Sequence, residues 1–140
     1  MRRNQYLIPL SREHHHMLVL SQVLKIDVPA YQNMPKSKEE KLAFLRGKLK
    51  QLLAPNFNSH RQVIYPVLID WCFSDSVLLD ELRQEEDEIL ETVHALKEAD
   101  EMQLHEIGIL IEELVRKKER QLYEKMQQEF GDKLSELDLK

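Results

Sequence analysis

The chain has 140 residues, a formal net charge of −5, three glycines, one cysteine and five prolines, all of the prolines before residue 67. Average usage would give about ten glycines, and the shortage excludes an all-β fold, whose tight turns need positive φ. The acidic balance argues against a nucleic-acid surface; the lone Cys72 excludes an internal disulfide framework and fits a reducing cytoplasm.

Four helical segments follow from the spacing of apolar residues and from capping residues. The first is expected to start at Ser11, after Pro9, to carry Met17, Leu18, Leu20, Val23 and Leu24, and to stop at Val28-Pro29. A linker from Ala30 to Lys36, holding Tyr31, Asn33 and Pro35, leads to Ser37, where Ser-Lys-Glu-Glu forms a capping box. The second segment runs through Leu42, Leu45, Leu49, Leu52 or Leu53, Asn56, His60, Ile64 and Val67, and a kink is expected at each of Pro55 and Pro66, or a break and restart near Pro55. The third starts near Ser74 or Ser76, carries Leu79, Leu82, Glu86, Ile89, Val93 and Leu96, and ends around Ala99-Asp100. The fourth shows Leu104, Ile107, Ile111, Leu114, Lys118, Leu122 and Met126 and closes at Gly131, with 131–140 as a tail that adds one turn or frays. These segments predict an all-α fold, an antiparallel up-and-down four-helix bundle in one domain over 1–140 with its core at about 8–130. The opening MRRNQYLIPL is too short in apolar residues for a signal peptide, and no apolar run approaches the roughly 20 residues of a membrane span. A cytoplasmic protein without membrane or nucleic-acid partners is expected, with a protein partner or self-association through residues such as Trp71 and Phe73 left open.

Polar residues that interrupt the apolar stripes carry the functional signal. Asn56 and His60 stand at i, i+4 on the core side of the second segment, Glu86 lies between Leu82 and Ile89, and Lys118 lies between Leu114 and Leu122. The first segment offers His14, His15 and His16, among which the periodicity does not choose. A bare buried charge costs several kcal/mol, so each of these residues needs a partner. Either histidines and a carboxylate converge as metal ligands, or Glu86 pairs with Lys118 while His60 and Asn56 complete a hydrogen-bonded cluster.

The remaining candidates read as structural. Glu91 and His94 form one Glu-x-x-His where a ferritin-like di-iron site needs two, and both lie off the stripe. His105 has no evident partner. The acidic run Glu85–Glu88 and the basic run Arg116–Arg120 are expected on solvated faces, attracting one another by less than about 1 kcal/mol per exposed pair. Cys72, between Trp71 and Phe73, reads as packing. No Gly-rich phosphate loop, Ser/His/Asp set or Cys-x-x-Cys is present.

The stretch Leu10-Ser11-Arg12-Glu13-His14-His15-His16-Met17-Leu18 resembles the opening helix of bacterial hemerythrin-like proteins, the HHE cation-binding family. Asn56-Phe57-Asn58-Ser59-His60-Arg61-Gln62-Val63-Ile64-Tyr65-Pro66 is similar to that family's His-Phe-x-x-Glu-Glu-x-x-Leu-Phe-Pro. The stretch from Leu114 to Tyr123 is similar to its His-Val-Arg-x-Glu-Glu-Arg-x-Leu-Phe, and Glu85–Ile89 to its Glu-His-x-x-Ile. The resemblance spans residues 8 to about 126 and implies the family's bundle, in which histidines and carboxylates hold two non-haem irons. Position by position, His14 matches a ligand histidine, Asn56 and Glu86 stand where histidines belong, His60 where a glutamate belongs, Leu114 for a histidine and Lys118 for a glutamate.

An ammonium about 5 Å from a divalent ion, at an effective dielectric near 20, is repelled by roughly 7 kcal/mol. The resemblance therefore implies a degenerate di-iron site, with Lys118 supplying the missing positive charge, Glu86 as its counter-ion and His14 or His60 as hydrogen-bond partners. The expected function is that of a non-catalytic binding or regulatory module without a cofactor. The alternative is one iron or zinc ion held by His14, His60 and Glu86.

Overall fold

A computed structural model describes residues 2–26, 28–29 and 33–137. Ala30 and Tyr31 of the expected linker and the last three residues of the tail, 138–140, lie outside the described residues. Among the described residues the fold is all-helical, with four long helical stretches packed on one apolar core, an architecture compatible with a helical bundle. No described helix is long and apolar enough to cross a membrane.

The first helix spans Ile8–Leu24, beginning before the expected Ser11. Pro9 sits in its first turn, where a backbone N–H has no intrahelical partner to lose. Its end also comes early: Lys25 is extended (ψ 150°), and the free N–H of Ile26 donates to His105 Nδ1 at 3.0 Å. His105 thus has a structural job, tying the end of the first helix to the fourth.

The second helix is continuous over 38–70 and starts at the expected capping box. Ser37 Oγ accepts from the Glu40 N–H at 3.2 Å, and the Ser37 N–H donates to Glu40 Oε1 at 3.4 Å. Neither proline breaks it. A π-helical turn, Leu49–Leu53 or His60–Ile64, lies just ahead of Pro55 and Pro66, and the junction residues keep right-handed helical dihedrals. A wider turn accommodates the ring and the missing N–H without ending the helix. The helix closes with Cys72 at φ 59° and a hydrogen bond from the Phe73 N–H to the Leu68 carbonyl at 2.9 Å, a termination that more often uses glycine. This turn leaves Cys72 exposed, which corrects the expectation of a packing role.

The third helix, Ser76–Ala95, is capped by Asp75, whose side chain accepts from the Leu78 N–H at 3.0 Å. It stops short of Ala99-Asp100, with Leu96 extended (ψ 104°), and Asp100 instead caps the fourth helix, accepting from the Gln103 N–H at 2.9 Å. The fourth helix runs over 101–130 with a π turn at Lys118–Tyr123 and ends at Gly131, φ 50°. Beyond it a 3₁₀ turn, Gly131–Glu136, buries Leu134 completely, so this part of the tail adds to the core. Phe130 packs against Trp71 and Phe73, with ring centroids 5.1 and 6.2 Å apart. The two aromatics that suggested self-association thus meet a partner within the chain.

The first and fourth helices pack along their lengths in opposite directions: Ser11 bonds to Glu119, Ser21 to the Gly108 carbonyl, and Ile26 to His105. That pairing carries His14 to the level of Lys118 and sets the geometry of the polar centre.

Candidate functional site: a buried polar centre

His14 is the inward histidine of its run, because it shares a face with Leu10 and Met17 at i−4 and i+3, both buried; His15 and His16 are exposed. His14, Asn56, His60, Glu86 and Lys118 are each 1% exposed or less. All four helices therefore contribute a polar side chain to the interior, and Leu114, at a position the resemblance gave to a histidine, is buried as an ordinary core residue.

These residues divide into two halves. In the first, Lys118 Nζ donates to Glu86 Oε2 at 2.7 Å, with both side chains fully buried. Glu86 does not depend on lysine alone. Arg61 Nε donates to its Oε1 at 2.9 Å, and the Tyr65 hydroxyl donates to Oε2 at 3.0 Å. Arg61 is itself held by the Arg83 carbonyl and by Asp87 Oδ1, linking the buried carboxylate to the rim. The ammonium also lies over the Phe57 ring, 4.9 Å from its centroid. Burial pulls Lys118 below the ordinary lysine range, opposed by the charge and hydrogen bond of Glu86. Burial and the neighbouring Glu86 push the Tyr65 phenol up, so it stays a donor.

The second half is built on the histidines, and here the structure departs from expectation: neither hydrogen-bonds to Lys118. His60 Nδ1 lies 2.8 Å from the Asn56 carbonyl and Nε2 lies 2.7 Å from the Tyr123 hydroxyl. A neutral ring satisfies both, Nδ1 donating to the carbonyl and Nε2 accepting the phenolic proton. Burial, followed by the charge of Lys118, holds His60 well below its usual 6.5. His14 Nδ1 lies 2.8 Å from Glu119 Oε2. Glu119 also accepts from the Ser11 hydroxyl and faces Arg3 at 3.4 Å. Burial opposes its ionisation, but the hydrogen bonds from His14 and Ser11 and the charge of Arg3 hold it below the ordinary glutamate range. An ionised Glu119 makes His14 Nδ1 the donor. Burial and Lys118 lower the basicity of His14 against the pull of Glu119, which leaves the ring neutral near pH 7 with its lone pair on Nε2. The rings of His14, His60 and Tyr123 stack pairwise at 5.3 to 5.9 Å with interplanar angles of 6 to 16°.

Arg61, Tyr65, Glu119 and Tyr123 were absent from the sequence-derived set, and two of them share a signal. Tyr65 follows His60 by five residues and Tyr123 follows Lys118 by five, and each pair begins with the first residue of a π turn. In a π turn i and i+5 align, so both the i+4 residues (Ile64, Leu122) and the i+5 tyrosines become core. A polar stripe residue followed five positions later by tyrosine in both helices was a readable clue. Glu119 had none, since it sits in a basic surface run and is half-buried.

The donor set does not suit the iron pair that the resemblance implies. Both His60 nitrogens are engaged, Glu86 spends its oxygens on two cations and a phenol, and a lysine ammonium sits within the centre. Among the described residues, no group of three or more His, Cys, Asp or Glu side chains could hold a metal ion. Of the other candidates, Glu91 and His94 are both exposed. The acidic and basic runs meet at the rim, where Lys117 Nζ stands 2.9 Å from Glu81 and 3.3 Å from Glu85. Compared with known protein families, curated proteins and solved structures, the chain finds no match.

Proposed function

We propose that the chain is an up-and-down bundle of the hemerythrin-like (HHE) type in which a lysine has taken over the charge-balancing role of the metal. It serves as a non-catalytic binding or regulatory module. The observation that carries this reading is the fully buried Lys118–Glu86 pair at 2.7 Å, at two positions that the resemblance assigns to metal ligands. The hydrogen bonding supports a non-catalytic role as well. Tyr65, Tyr123, His60 and Glu86 are each committed to another residue of the chain, leaving little free chemistry for a substrate.

Elemental analysis of protein purified without a nickel column tests the reading. The expected result is clearly less than one equivalent of iron or zinc per chain, and no oxo-bridged iron absorption band after aerobic iron loading. One tightly held ion per chain would favour the alternative, a mononuclear site on His14, His60 and Glu86. An oxo-bridged band would overturn both.

A further inference from the structure

Two buried polar atoms of the centre have no hydrogen-bond partner among the described residues: His14 Nε2 and Asn56 Oδ1. They belong to one junction. Asn56 Nδ2 donates to Glu13 Oε1 at 3.0 Å, and Glu13 immediately precedes His14. One turn further along the second helix, the His60 ring stacks on His14 with centroids 5.9 Å apart. The Asn56–His60 face of the second helix therefore lies directly against Glu13 and His14 of the first.

Both free atoms are acceptors. The Nδ1–H of His14 is committed to Glu119 and its lone pair is on Nε2, while the amide of Asn56 is oriented by its bond to Glu13, which leaves the carbonyl oxygen free. Buried acceptors without donors lose the hydrogen bonds they would make in water, and side-chain rotation does not relieve this while Glu119 and Glu13 hold the two groups in place. A cation at the junction would meet the Lys118 ammonium, and an anion would meet Glu13 and Glu119. A nonpolar molecule would leave both acceptors bare.

We propose that this junction is a binding site for a single neutral hydrogen-bond donor, a water molecule that bridges His14 Nε2 and Asn56 Oδ1. The two acceptors use both of its hydrogens, and the surrounding charges select its neutrality. Both residues are 1% exposed or less, so whatever meets the two acceptors is enclosed by protein. The inference rests on these two side chains and does not depend on the family reading.

The test uses the wild-type protein near pH 7. A high-resolution crystal structure should show one ordered atom within about 2.7–3.2 Å of both acceptors. Solution NMR should show long-lived contacts from water to the Asn56 side-chain amide protons and to the His14 ring protons, with His14 in the Nδ1–H form. Asn56→Leu should abolish those contacts at the His14 ring; their persistence would overturn the bridge. Three results on the wild type would also overturn it: His14 Nε2 protonated and donating directly to Asn56 Oδ1, a metal ion at the junction, or no long-lived water signal. Because the wild-type structure decides the matter alone, a failure of the variant to fold does not rescue the proposal.

Discussion

The first helix meets the fourth in two places that work by different physics. Near Ser21 and Gly108 the backbones nearly touch. The Ser21 hydroxyl donates to the Gly108 carbonyl at 2.8 Å, and a Cβ at Gly108 would lie 2.9 Å from the Ser21 carbonyl oxygen. Near Ser11, His14 and Glu119 the same two helices are joined by a carboxylate that gathers three donors. The first contact is steric and indifferent to pH. The second is electrostatic, and with the Lys118–Glu86 pair beside it, responds to any change of charge. One helix pair thus combines a rigid crossing with a titratable centre, and mutations in the two places should leave different signatures.

The largest effect is expected at Glu86. Glu86→Leu strands a buried ammonium, the Arg61 guanidinium and the Tyr65 hydroxyl together, and should cost about 3–5 kcal/mol in urea unfolding. Lys118→Met should cost less, about 1–3 kcal/mol, because Glu86 keeps Arg61 and Tyr65. The double variant should be more stable than the sum of the two losses predicts, by up to about 3 kcal/mol. Strict additivity would mean that the two side chains are not coupled.

Acid should come next, and only at the polar contact. Burial holds both His14 and His60 below the ordinary 6.5. Between that value and their folded-state values the unfolded chain binds more protons, so stability must fall as pH falls below about 6.5. The slope is at most about 1.4 kcal/mol per histidine for each pH unit. Unfolding curves from pH 7.5 down to pH 5 should show this loss, and His60→Gln should flatten it. A pH-independent midpoint would show that neither histidine is buried in its neutral form.

The same contrast explains what could be read from the sequence. Glu86 and Lys118 were legible as partners because a charge on an apolar stripe has few ways to be buried, and pairing is the cheapest. The helices were legible from their spacing, as was the capping box at Ser37. The prolines misled, because the periodicity does not reveal that a π turn will precede each and keep the helix whole. Those turns also moved Tyr65 and Tyr123 inward, so the partner of His60 was hidden by a change of period rather than by residue type. Glu119 was hidden because its neighbours are charged and only tertiary contact with His14 turns it inward. His14 itself could have been chosen over His15 and His16 from Leu10 and Met17, which share its face.

A smaller effect should isolate the histidine half from the ion pair. Tyr123→Phe leaves the buried Nε2 of His60 without its donor and should cost about 1–3 kcal/mol. The Lys118–Glu86 coupling should survive, since no bond joins Tyr123 to either residue. Repeating the Glu86→Leu and Lys118→Met cycle in the Tyr123→Phe background measures this. A coupling energy that collapses would show that the two halves form one network.

Gly108→Ala should give the smallest change and the only one insensitive to pH. The new methyl meets the Ser21 carbonyl oxygen at 2.9 Å and the Leu24 Cβ at 3.2 Å, and neither is the free end of a flexible side chain. Forcing the helices apart costs about 1–3 kcal/mol, while alanine in place of glycine returns about 1 kcal/mol of helix propensity. The net loss should be roughly 1 kcal/mol, equal at pH 7.5 and pH 5.5. A loss that grows in acid would mean that parting the helices at Gly108 also loosens His14 from Glu119, and the steric and electrostatic contacts would then act as one.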